Sequence, residues 1–544
     1  MTGRAITIKT NDSAPPTGPD IAALMAMPST HNPTAIPMAT RPPRRRTARR
    51  VADTPPGIIG HVRRDEVAGD DISQSYDAEP AEGGHRLSPS VLATMCAGTM
   101  WSFTLVGEHA GPATRIRLFV LLVATVSMVY WIRQLLWQPR IWLFILFAAV
   151  GITGGSSAWN NTRDVIEGTC SGEALVRTDP TWVGRGVGVV VELERVRYRV
   201  IAHGTPGAHL AQRLAGERVL VRGQCAPTTG TYARYDHVTH VLGRMNVEYV
   251  SEEFNEGSGI IRAANRMRRS LLNGVASMRP ELRALFTGLV IGDDREQSRT
   301  MIAEFRNSGL SHLCAVSGQN VAYLLAVLAP LLRRLRPNAR VVATMCVIGW
   351  FVILTRGEPS VLRAALMAGL VAVNAATRNP MNARTVLALT VMLLLTLDPM
   401  LAWSVGFALS VGATAGLAWL SARLQRIVGG RGMFASTLSA QIGTMPVSFF
   451  VFGYVPVISL IANPLALTVA GGVMMIGLPC ALLGSLISPL EPLVSAVMTV
   501  PVFWVAEVAR FASMVSPKGV VNLVLWAVVG WWVWRDWSRA VRGT

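Results

Sequence analysis

From residue 88 to residue 534 the chain keeps returning to one pattern. An apolar run of about fifteen to twenty residues is followed by a short polar break rich in Arg, Gly or Pro. Such runs cover the hydrocarbon core of a bilayer as helices, and none alternates as a membrane strand does. They fall at 89–107, 118–137 and 141–158, and then at 310–332, 340–355, 360–377, 385–397, 402–420, 433–453, 456–487, 490–512 and 518–534. The pattern predicts about twelve transmembrane helices. Asn463-Pro464 predicts a kink or break in the overlong run at 456–487. Ala284–Gly292 is too short to cross alone and reads as a partial or re-entrant helix.

Three segments depart from the pattern. Residues 1–87 hold many Pro, Ser, Thr and charged residues and almost no aromatics, which predicts a disordered tail. No apolar segment follows closely on the N-terminus, so this tail does not read as a signal peptide. Residues 160–256 shorten to alternating stretches such as Val187–Val196 and Arg218–Val221 between Gly and Pro. That is the signature of a small all-β soluble domain, and an OB-like barrel suits its size and strand count. Residues 257–281 mix Arg262, Arg266, Arg268 and Arg269 with Ile260, Ile261, Leu271 and Leu272, as an amphipathic interfacial helix does. The fold class is therefore a polytopic α-helical membrane protein with an inserted β domain. Its parts are a tail (1–87), three helices (88–159), the β domain (160–256), the amphipathic helix (257–281), a membrane block (282–534) and a basic tail (535–544).

Charge sets the orientation. The chain of 544 residues carries a net +18, and its arginines gather beside the span ends. One crossing per run places Arg44–Arg50, the Arg333–Arg336 cluster, Arg423–Arg431 and Arg535–Arg542 on one side. The positive-inside rule makes that side cytoplasmic, with both termini inside the cytoplasmic membrane and residues 160–256 outside. Six cysteines form no Cys-x-x-Cys pair, and no metal site or cofactor is expected. Cys170 and Cys225 are the β domain's two cysteines, and on an oxidising side they are expected to pair.

Polar groups inside an apolar run are costly because hydrocarbon offers them no hydrogen bonds. The run opening at Gly309 nevertheless holds His312, Ser317, Gln319, Asn320 and Tyr323. On one continuous helix His312, Gln319 and Tyr323 share a face, with Asn320 beside them. Such a stripe is either a hydrogen-bond seam between helices or the lining of a polar path. Arg363 is a candidate phosphate contact, since Arg meets phosphate oxygens bidentately. The bland alternative pairs it with Glu358. Asp398 suits a helix cap as well as a ligand contact. His312 and Ser317 as a hydrolase pair would point about 140° apart on one helix.

Several of these residues stand in motifs that resemble the ComEC competence family, membrane proteins that internalise DNA during natural transformation. Ser311–Val321, including Gly318, is similar to that family's His-Leu-Leu-Ala-Ile-Ser-Gly-Leu-His-Val segment. Gly292-Asp293, Gly357-Glu358-Pro359-Ser360-Val361-Leu362-Arg363-Ala364, Asp398-Pro399, Ser404–Ser410, Ala440-Gln441-Ile442-Gly443-Thr444-Met445-Pro446 and Asn463-Pro464 follow in family order. Gln319-Asn320 stands where the family has Leu-His, and Ala408 replaces a common Gln. Many members also carry a metallo-β-lactamase-like domain, but no His-x-His-x-Asp-His motif occurs here, and no nuclease chemistry of that kind is expected.

The resemblance implies a non-enzymatic channel for inward passage of single-stranded DNA, with His312, Ser317, Gln319, Asn320, Tyr323, Arg363 and Gln441 along the path. Gly292, Asp293, Gly318, Pro359, Ser360, Asp398, Asn463 and Pro464 are its structural motif positions. An outer DNA receptor and a cytoplasmic motor or strand-binding protein are the implied partners. The rival is a transporter of a smaller solute with a compact midplane site.

Overall fold

The computed structural model describes residues 88–108, 140–160, 165, 167–230, 233–314, 318–377, 381–427 and 432–542. The tail at 1–87, the run at 118–137 and Ser317 lie outside these residues.

Helices α1 (Pro89–Gly107) and α2 (Arg140–Asn160) open the described chain. Ser88 caps α1 by accepting from the Val91 N–H. The two helices lie backbone against backbone, because a Cβ on Gly151 would come within 2.6 Å of Met100 O. Small residues permit that approach, as is usual between membrane helices.

The β domain follows, with β1 (Gly168–Val176), β2 (Thr181–Val183), β3 (Gly186–Leu193), β4 (Val196–Ala202), α3 (Gly204–Ala211), β5 (Arg218–Pro227), α4 (Ala233–Val238) and β6 (Gly243–Asn255). Strand order runs β1-β5-β6-β4-β3, and a β1–β3 pairing closes the ring. All neighbours are antiparallel except β4 and β6. This five-stranded ring, with a helix between β4 and β5, has the connectivity of an OB-like barrel. Alternation along β5 sends Val219, Val221 and Cys225 inward, where they meet Val176, Val191, Tyr198 and Val200. Because β1 and β5 are paired, Cys170 and Cys225 are brought close enough to form the expected disulfide, with Cα atoms 5.9 Å apart.

Helix α5 (Gly259–Asn273) is amphipathic. Its outer face is basic, while Ala264, Asn265, Arg268 and Leu271 are buried. Arg268 turns inward because carboxylates await it there. Helix α6 (Pro280–Ile291) has 12 residues, about 18 Å of rise, and does not reach across a bilayer. Leu285, Phe286, Leu289 and Ile291 fill the centre of the largest apolar core. Gly292 ends α6 with φ 69°, in the left-handed region that glycine enters at little cost.

The chain continues through α7 (Arg299–Asn307), α8 (Ser311–Cys314), α9 (Gly318–Leu332), α10 (Pro337–Leu354), α11 (Pro359–Thr377) and α12 (Ala383–Leu397). After a 3-10 turn at Pro399–Trp403 come α13 (Val405–Ile427), α14 (Gly432–Phe452), α15 (Ser459–Leu486), α16 (Glu491–Val515) and α17 (Gly519–Arg542). Among the described residues six helical stretches are long and apolar enough to cross a membrane: 89–107, 143–160, 337–354, 405–427, 459–486 and 488–515. Four shorter apolar helices, 318–332, 359–374, 383–397 and 519–535, accompany them. The protein is a multi-pass membrane protein. Of the expected kink or break at Asn463-Pro464, a break is absent, since α15 runs through Pro464 as one helix. The missing proline N–H removes a single i→i−4 bond near the first turns, and Thr468 Oγ1 donates to Pro464 O at 2.7 Å.

Candidate functional site

A cavity of about 2700 Å³ lies between the β domain and helices α9, α11, α13, α14 and α15. Pockets that hold small molecules measure about 300–1,000 Å³. Nine arginines and five carboxylates among the described residues line the cavity, so its walls are net basic.

His312 lies in α8 and Gln319 in α9, and the three residues between these stretches, 315–317, lie outside the described residues. His312, Gln319 and Tyr323 line the same cavity. Asn320 does not line it. It is 4% exposed, and its Nδ2 donates to Leu289 O at 2.8 Å, tying α9 to α6. Gly292, Asp293, Gly318, Pro359, Ser360, Arg363, Asp398, Gln441 and Asn463 line the cavity as well. Pro464 is buried in α15.

Arg363 projects from α11 and is 8% exposed. Its Nε donates to Ser410 Oγ on α13 at 2.7 Å, and its Nη1 approaches Met367 Sδ at 3.1 Å. The anticipated pair with Glu358 is not formed, and no carboxylate among the described residues neutralises the guanidinium. A Cβ on Gly318 would stand 2.9 Å from Arg363 Nη2, so glycine at the start of α9 leaves the room the guanidinium needs. A buried, uncompensated cation is expensive, and it is retained where it serves a function.

Around the cavity mouth a knot of ion pairs joins the β domain to three other segments. Arg356 grips Asp179 with Nη2–Oδ1 at 2.9 Å and Nε–Oδ2 at 3.1 Å. It also donates to Asn265 Oδ1 at 2.9 Å and to Ala215 O at 3.2 Å. Arg268 bridges Asp179 at 3.0 Å and Asp293 at 3.1 Å, and its Nη1 donates to Leu354 O at 2.9 Å. Arg295 closes a fork on Asp293 at 2.7 and 2.6 Å. Burial alone would raise the Asp179 carboxyl, but the Arg268 and Arg356 guanidiniums outweigh it and hold the group at about 2. Arg356 has φ 64°, a conformation that costs a non-glycine residue about 1–3 kcal/mol and that these contacts sustain.

A second tie is His240 Nε2 to Asp398 Oδ2 at 2.9 Å. Asp398 Oδ1 accepts from the Met400 N–H at 3.0 Å, so this residue is a cap and an anchor together. Asp179 and Ser459 line the cavity without any signal in the local sequence, because each is defined by a partner from a distant segment. Gln441 Nε2 donates to Ser459 Oγ, linking α14 to α15.

Residues 289–538 match the family model described as Competence protein. Among curated proteins, ComE operon protein 3 of Bacillus subtilis (strain 168) is 24% identical over 341 residues, covering 59% of this chain and 43% of that protein. The chain thus spans less than half the length of that relative. No solved structure matches the chain.

Proposed function

We propose that the chain, whose residues 289–538 match the Competence protein family model, forms a cytoplasmic-membrane channel that passes single-stranded DNA inward during natural transformation. The observation that carries this reading is Arg363, a buried guanidinium with no carboxylate partner among the described residues, on the wall of a large, net basic cavity. A strand crossing a bilayer needs a polar path with positive charge for its phosphates. Arg supplies two parallel donors to a phosphate at one point. His312, Gln319, Tyr323 and Gln441 supply neutral polar surface along the same wall.

In this reading the whole chain has about twelve spans, both termini are cytoplasmic, and the β domain stands outside. Transport is driven by partners, an outer DNA receptor and a cytoplasmic motor or strand-binding protein, without catalysis by the chain. A compact solute site is disfavoured by the cavity's volume, which exceeds what a small ligand fills. The test compares transformation frequency and membrane protein level in the same strains. Arg363→Ala is expected to retain its level and lose uptake by about tenfold or more, the loss of one charge-assisted contact. Glu358→Ala is expected to stay near normal. Uptake undisturbed in Arg363→Ala, at a normal protein level, would remove this residue from the path and with it the reading's main support.

A further inference from the structure

Two buried acceptors in the cavity wall have no donor among the described residues. Gln441 Oε1 on α14 and Asn463 Oδ1 on α15 are both buried without a hydrogen-bond partner there. Asn463 is 6% exposed, and it lines the cavity together with Gln441 and Ser459. The Gln441 amide is held by its Nε2, which donates to Ser459 Oγ, while Ser459 Oγ donates to Pro456 O at 2.5 Å. Ser459 and Asn463 are four residues apart and share a face of α15. A finished interhelical seam would satisfy these oxygens, since each buried polar atom left unpaired costs about 1–3 kcal/mol. This wall therefore offers acceptors to something that brings donors.

The surroundings narrow what that is. A metal or alkali cation needs more oxygens than the two left free here, and nine arginines against five carboxylates repel it. A phosphate group is excluded, because its oxygens are acceptors too. Along an internal stretch of DNA neither the phosphates nor the deoxyribose carries a donor. The bases do. Each of the four has at least one N–H on its pairing edge, and in a duplex that edge is taken by the partner strand.

We infer that Gln441 and Asn463 form a base-edge contact site, accepting N–H donors from the pairing edges of unpaired nucleobases. This rests on the DNA-path reading and deepens it. The site is indifferent to sequence, since every base can donate, and it favours single strands over duplex. The division of labour is phosphate to Arg363 and base edge to the α14–α15 wall.

The test uses the full chain in lipid nanodiscs with labelled oligonucleotides of equal length. One is made of thymidine and the other of N3-methylthymidine, which lacks only the donor. Wild type is expected to bind the thymidine strand about tenfold more tightly. In Gln441→Met and Asn463→Leu that preference should fall to about twofold or less, with binding of the methylated strand unchanged. Equal wild-type affinity for both strands overturns the inference and leaves the DNA path standing. A preference that persists in both variants traces to the bulk of the methyl group and overturns it likewise. Binding of neither strand overturns the DNA path and the inference together.

Discussion

Replacing Asp179 by Ala removes the carboxylate that two guanidiniums share at the mouth of the cavity. Arg356 would lose its fork at 2.9 and 3.1 Å and keep Asn265 Oδ1 and Ala215 O. Arg268 would keep Asp293 at 3.1 Å, and the Ala215 N–H would lose its acceptor at 2.9 Å. Breaking a buried pair from one side costs about 3–5 kcal/mol. The partners that remain argue for the lower end, about 3 kcal/mol, on the order of a hundredfold in local opening.

Hydrogen exchange reads this at two neighbouring amides. Val176 N–H donates to Glu217 O at 2.9 Å, and Gly216 N–H donates to Val176 O at 2.7 Å. Both should exchange about a hundredfold faster in Asp179→Ala. Glu173→Ala is the control, because its pair with Arg218 spans 3.5 Å with both side chains about half exposed. Acid supplies an independent check. The carboxyl is held at about 2, below its ordinary 3.8. Its contribution is therefore complete above about pH 4 and is lost as pH falls toward 2. After correction for intrinsic exchange rates, wild type should open over that window, and the variant, which keeps Asp293 paired with Arg268 and Arg295, should show a smaller step. Exchange in Asp179→Ala within about threefold of wild type would refute the assignment of the knot as the joint.

Three further outcomes are expected. Cys170→Ser should lower the abundance of the whole protein, since losing a disulfide from a small domain costs about 2–5 kcal/mol, and mass spectrometry after thiol blocking should find Cys170 and Cys225 bonded in wild type. Gly416→Val should remove the protein from the membrane, because a Cβ there overlaps Ser439 O where α13 and α14 meet; a normal level would contradict that packing. Reporter fusions at Gly257 and Thr544 should report opposite compartments, and one compartment for both would overturn the proposed orientation.

The helices were legible because a span is written in consecutive residues: twenty apolar positions between arginines need no distant partner to be recognised. The β domain was legible for the same reason, since alternation and turn residues are local. Arg363 stood out as an arginine among apolar neighbours. What escaped was pairing across the chain. Asp179 and Arg356 lie 177 positions apart, and His240 and Asp398 lie 158 apart. Asn320 was assigned with the stripe from its spacing, yet the neighbouring α6 carbonyl decides where it points.

The knot also orders the protein's biogenesis. Asp179 is synthesised before its two partners, Arg268 and Arg356. The barrel that carries it is complete by Asn255, ahead of both. A folded barrel therefore waits with a fixed carboxylate when α5 emerges, and Arg268 is neutralised as it docks. Were the barrel to fold late, Arg356 would stand beside the closing helical bundle without its carboxylate, and Arg268 with Asp293 alone. The order of synthesis thus lets the inserted domain serve as a template on which the membrane block assembles.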